Sequence, residues 1–141
     1  MTVSRREFVQ LAAAMGAALA WGGVAQASRT NWREARKLYP DGVASGDPDP
    51  SGVILWTRRP YDSGDRHNLT VEVAEDEGFH RVVATALAPV SAASGWTTRV
   101  LVGGLKPAHV YWYRFTDSDG NGSRIGRTKT APPGEGMMRL H

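Results

Sequence analysis

Six consecutive residues, Asp117-Ser118-Asp119-Gly120-Asn121-Gly122, have the donor spacing of a calcium loop: side-chain oxygens at the first, third and fifth positions and a glycine at the sixth. The twelfth position of such a loop is a bidentate glutamate, and here it is Thr128, between flanks that read as strands rather than helices. The spacing fits a hairpin turn better, with Asp119-Gly120 or Asn121-Gly122 supplying positive φ. Asp41, Asp47 and Asp49 form a second acidic group that could hold a cation, but Asp47-Pro48 and Asp49-Pro50 are turn chemistry. His67, His80, His109 and His141 stand alone, none at ligand spacing from another His, Asp or Glu. Ser45 lies in Ala-Ser-Gly and lacks the Gly-x-Ser-x-Gly elbow of a hydrolase nucleophile. With no cysteine there is neither a disulfide framework nor a thiolate metal site. The expectation for this chain is no catalytic residue, no metal ligand and no cofactor of its own.

The elements that would position these residues are strands. A chain of 141 residues with 41% hydrophobic and 22% charged residues can bury a core, and its 16 glycines and 8 prolines favour a turn-rich β fold. Val53–Arg58 is β-branched and aromatic. Leu69–Ala74 alternates with Leu69, Val71 and Val73 on one face. Trp96–Val102 sets Trp96, Thr98, Val100 and Val102 against Thr97, Arg99 and Leu101, and Val110–Phe115 sets Tyr111, Tyr113 and Phe115 against Val110, Trp112 and Arg114. Adding 81–87, 122–130 and an early strand near Gly42–Ser45 gives about seven strands, the count of an immunoglobulin-like two-sheet sandwich. Leu105-Lys106-Pro107-Ala108-His109-Val110-Tyr111-Trp112-Tyr113 resembles the Leu-x-Pro-x-x-x-Tyr-x-Tyr pattern of fibronectin type III domains. There a tyrosine corner ties a turn to the next strand; Leu105, Pro107 and Tyr111 are its counterparts here. Trp32, Trp56, Trp96 and Trp112 are too many for the centre of so small a sandwich. Trp56 and Trp112 fall opposite the core rows, under loops, against a neighbouring domain, or on a carbohydrate- or protein-binding surface.

The N-terminus reads as delivery. Ser4-Arg5-Arg6-Glu7-Phe8 matches a twin-arginine export motif, with Arg5, Arg6 and Phe8 its defining residues. A weakly apolar run, Leu11–Val24, follows, and Ala25-Gln26-Ala27 is a small-x-small cleavage site, so Ser28 would begin the mature chain. The run is too short and too glycine-rich for a stable membrane span. An amphipathic or buried N-terminal helix is the alternative. Residues 28–37 read as a polar linker with room for a helical turn, or as a small basic patch for anionic lipid. The net charge of +3 is small and the arginines are scattered, which gives a nucleic-acid partner little support.

One stretch carries a family resemblance. Pro40 to Arg58, after Tyr39, reads PDGVASGDP, a short gap, then GVILWTR. This resembles the opening of the N-terminal domain of the PhoD-type alkaline phosphatases, and the likeness runs from the export motif at Ser4 to about Pro133. It implies an exported metallophosphatase acting on phosphate mono- and diesters, located in the periplasm or outside the cell. It places the family's iron and calcium in a catalytic domain beyond this one, so no ligand carries over to a residue here. The implied organisation is a twin-arginine signal peptide at 1–27, a linker at 28–37, the immunoglobulin/fibronectin-III-like domain at 38–132, and a linker at 133–141 leading to a catalytic domain whose first strand begins in Met137–His141. The chain is then a fragment, inactive by itself. Its partners are that catalytic domain, fused or separately encoded, and the twin-arginine translocase during export. The rival reading is a stand-alone exported binding or adhesion domain, since a sandwich does not fix a function.

Overall fold

A computed structural model of the chain describes residues 4–134. Met137–His141, expected to open a further strand, lie outside the described residues. Helix α1 (Arg5–Met15) precedes β1 (Ala18–Trp21), β2 (Arg33–Glu34), β3 (Val43–Asp49), β4 (Gly52–Arg58), β5 (Arg66–Ala74), β6 (Val82–Ser91), β7 (Thr97–Gly103), β8 (Val110–Thr116), β9 (Asn121–Gly122) and β10 (Gly126–Lys129). One sheet has the order β1-β7-β4-β3; the other has β2-β9-β8-β5-β6, with β10 paired to β8.

The two sheets face each other across a single apolar cluster. Val53, Leu55, Val100 and Val102 come from one sheet, and Leu69, Val71, Val73, Val90, Tyr111, Tyr113 and Phe115 from the other. Apart from Val90, which lies beyond the strand expected at 81–87, these are the rows that alternation assigns inward, because successive side chains in a strand point to opposite faces. The all-β, two-sheet expectation therefore holds.

The structure differs in number and extent. Among the described residues there are ten strands rather than about seven. Two of the three added strands, β1 and β2, pair in parallel at sheet edges, β1 with β7 and β2 with β9, and the third arises because 122–130 divides into β9 and β10. The sandwich also starts before the expected limit at Leu38. The 28–37 stretch, read as a linker, contains β2 and the start of a short 3-10 turn at Arg36–Leu38. The segment read as a leader contributes α1 and β1, with Ala20 in the core at 1% exposure. A four-residue strand rich in alanine has little β propensity; what places it is the free edge of β7 beside it.

Candidate functional site

The six-residue loop that imitates a calcium site is a turn. Asp117 Oδ1 accepts the backbone N–H groups of Asp119 (2.9 Å) and Asn121 (3.0 Å). Its Oδ2 accepts from Arg59 Nη2 at 2.7 Å, in a pair nearly closed to solvent. Burial pushes the Asp117 carboxyl up, but the Arg59 hydrogen bond and the two backbone N–H groups outweigh it and hold it below the usual aspartate range. The Arg59 guanidinium lies 4.0 Å over the Tyr61 ring. Both Asp117 oxygens are thus engaged by the protein, and the loop does not fit a calcium ion.

The other acidic residues do separate jobs. Asp41 pairs with Arg58 at 3.1 Å. Asp49 Oδ1 accepts the Ser51 N–H at 2.8 Å, an Asx turn closing the β3–β4 hairpin. Asp47 sits at the irregularity between Gly46 and Asp49 with φ +46. Glu75 joins Lys106, Arg81 and His109 at the surface, and Asp76 pairs with His80. His67 stacks on Tyr61, ring centroids 3.6 Å apart. Among the described residues no group of three or more His, Cys, Asp or Glu side chains could hold a metal ion.

The strongest polar constellation is one that sequence reasoning missed. Glu72 on β5 and Arg114 on β8 are paired residues in the ladder, both on the face turned away from the central core. Arg114 Nε donates to Glu72 Oε1 at 2.9 Å, and Glu72 is 2% exposed. Ser28 completes the network: its hydroxyl donates to Glu72 Oε2 at 2.5 Å and accepts from Arg114 Nη2 at 3.1 Å. The Arg114 guanidinium lies 3.9 Å over Phe79 and 4.9 Å over Trp32, and cations over aromatic faces are held by the ring quadrupole. Trp32 is seated against Gly122, where any Cβ would fall 2.0 Å from the indole, and its Nε1–H donates to the Ser123 carbonyl at 3.1 Å. The charge signs of Glu72 and Arg114 were visible in the sequence. That the segment 28–32 and Phe79 would close over them was not.

Leu105, Pro107 and Tyr111 lie around one turn. Tyr111 is 1% exposed, and its hydroxyl accepts the Lys106 N–H at 2.9 Å, five residues upstream. Burial raises the Tyr111 phenol above its ordinary value, the Lys106 N–H opposing it. Of the leader residues, Arg5 and Arg6 are exposed and Phe8 is buried. Ala25 is half-buried and Ala27 exposed, and Gln26 between them exchanges backbone hydrogen bonds with Val82 at 2.9 and 2.7 Å.

The tryptophans do not share a face. Trp56 alternates with Leu55 and Thr57 on the outside of one sheet, and Trp112 alternates with Tyr111 and Tyr113 on the outside of the other. They therefore look out from opposite sides of the sandwich. Trp112 is packed against Ala74, Phe79 and Val82, and Trp96 against the central core.

Fold and side-chain placement together define a β-sandwich module whose polar clusters serve its own structure. Comparison with known proteins then gives the family. The chain belongs to the PhoD-like phosphatase N-terminal domain family, which its residues 23–132 match. It is 34% identical over 152 residues to alkaline phosphatase D of Bacillus subtilis (strain 168), in an alignment that takes in 99% of this chain and 26% of that protein. It is also similar to a solved structure of PhoD, with a TM-score of 0.65 and 33% identity over 70% of this chain and 20% of that one. The chain thus spans about a quarter of the length of the curated relative it matches.

Proposed function

We propose that this chain is the accessory N-terminal domain of an exported alkaline phosphatase D. The phosphoester chemistry of the longer protein would then reside in a portion that the chain does not span. The observation that carries this reading is the asymmetry of the match: nearly all of this chain aligns with about a quarter of a protein whose name states a phosphatase. The local chemistry supports it. Metal-assisted phosphoester hydrolysis needs a metal-held nucleophile and positive charge at the phosphoryl oxygens, whereas Asp117, Asp41 and Asp49 hold turns and arginines. Iron and calcium, which the family resemblance implies, belong on this reading to the catalytic portion.

The purified chain, supplied with iron and calcium, should hydrolyse a chromogenic phosphate ester at the buffer rate. Turnover that survives repurification and disappears on changing Asp41, Asp47 or Asp49 to Ala would place an active site here and defeat the proposal.

Export by the twin-arginine route to the periplasm or beyond is the second part of the reading. It rests on Arg5-Arg6-x-Phe8, the apolar run and Ala25-Gln26-Ala27. A chain beginning at Ser28 would keep its first residue anchored, since the Ser28 nitrogen donates to the Phe79 carbonyl at 3.0 Å and its hydroxyl joins Glu72 and Arg114. Arg5→Lys with Arg6→Lys should leave an uncleaved precursor in the cytoplasm. Sequencing of exported protein should begin at or near Ser28, and exported protein retaining Met1 would refute the cleavage.

A further inference from the structure

Residues 4–21 carry the export-signal pattern, yet they are built into the sandwich instead of trailing from it. Phe8 is 1% exposed. With Ala12 it packs on Leu101, with Leu19, Trp21 and Ile54 around them, and its ring meets Trp21 edge-on at 5.5 Å between centroids. The seat exists because two neighbouring strands of one sheet, β4 and β7, carry glycine there. A Cβ at Gly103 would stand 2.7 Å from the Trp21 ring and 2.8 Å from that of Phe8, and one at Gly52 would stand 2.8 Å from Phe8. Beyond α1, the chain turns at Gly16 (φ +65) and adds to the open edge of β7, from Ala18 opposite Val100 to Trp21 opposite Gly103. This is strand addition, in which main-chain hydrogen bonds supply attraction and pockets supply specificity. Arg5 and Arg6 remain exposed on the same helix.

We propose that residues 4–21 are a latch that docks on the β4–β7 face of their own domain, so that the folded domain holds its export signal with the arginine pair presented and Phe8 withdrawn. The biological meaning rests on the export reading above; the contact itself does not. The seat needs β4 and β7 already paired, because Gly52 and Gly103 each adjoin the Val53–Val102 pair at the end of that ladder and both crowd the Phe8 ring. An unfolded domain has no place for Phe8, so the latch closes only on a folded passenger. Loss of the segment uncovers Leu101, Ile54 and the main-chain groups of β7 at Val100–Gly103.

Hydrogen exchange on the full chain, read by mass spectrometry, tests the latch. In the wild type, amides of residues 19–22 should exchange at least about tenfold more slowly than in an unstructured peptide. Phe8→Ala on the signal side and Gly103→Val on the domain side should each abolish that protection while β5 and β6 stay protected. Unprotected amides at 19–22 in the wild type overturn the proposal, and this arm decides even where a variant fails to fold. So does protection unchanged in both folded variants. Protection that appears only as the chain dimerises would mean docking on a second copy and equally overturns it. Arg5→Lys with Arg6→Lys separates the two claims: normal export with the segment still protected defeats the signal reading and leaves the latch standing, whereas blocked export with no protection does the reverse.

Discussion

Glu72→Ala should destabilise the domain by about 3–5 kcal/mol, the cost of leaving one member of a buried ion pair uncompensated. The partner left behind is Arg114, with its side chain 9% exposed beside Glu72 at 2%. Its Nε would lose its carboxylate acceptor, and Nη2 would retain the Ser28 hydroxyl, itself deprived of the acceptor it donates to. The rings of Phe79 and Trp32 lie over the guanidinium and limit water's access to it. Arg114→Ala should cost a similar amount by the converse route, stranding the carboxylate. The double change Glu72→Leu with Arg114→Leu should recover most of the loss, since apolar residues of similar volume often replace a buried pair without penalty. Equilibrium urea melts of the four proteins decide this. Single changes that cost less than about 1 kcal/mol would mean that water reaches the pair and that it behaves as a surface bridge.

The sequence was most informative where periodicity alone decides the outcome. Leu69, Val71 and Val73, or Tyr111, Tyr113 and Phe115, could be assigned inward because a pleated strand leaves no other arrangement once one face meets a core. The Asp117 loop was legible as a turn for a similar reason: Thr128 and strand flanks contradict an ion site. What was not legible is everything decided by a neighbour distant in sequence. Leu101 was placed away from the core, correctly, but the helix that covers it begins at Arg5, in a segment whose composition speaks of export. Glu72 and Arg114 read as two outward charges, and only the return of residues 28–32 across β5 and β8 buries them. β2 is two residues long and exposed, placed by pairing with Asn121-Gly122 rather than by its own sequence. The tryptophans show the same limit, since alternation could say that Trp56 and Trp112 leave the core but not that they leave it on opposite sides.

Tyr111→Ala should cost about 3–5 kcal/mol, the range for deleting a large aromatic side chain from a packed core. The ring is 1% exposed and belongs to the central cluster with Leu105 and Tyr113, so surrounding strands cannot collapse into the space without losing their register. Tyr111→Phe isolates the hydroxyl and should cost about 1 kcal/mol. The bond lost is the one from the Lys106 N–H, and Lys106 lies on an exposed turn where water can take the vacated place. The pH dependence supplies a separate check. Burial raises the Tyr111 phenol, and raises those of Tyr61 and Tyr113 as well. A group whose folded pKa lies above its unfolded value contributes its full stability below the unfolded value, about 10 for tyrosine, and loses it as pH rises past that point. The wild-type domain should therefore weaken above pH about 10, and Tyr111→Phe should weaken less steeply, because one of the titrating phenols is gone. Melts across the alkaline range would refute the assignment if Tyr111→Phe were neutral at pH 7 and kept the full wild-type slope, because the hydroxyl would then be neither bonded to the Lys106 turn nor shielded by the core.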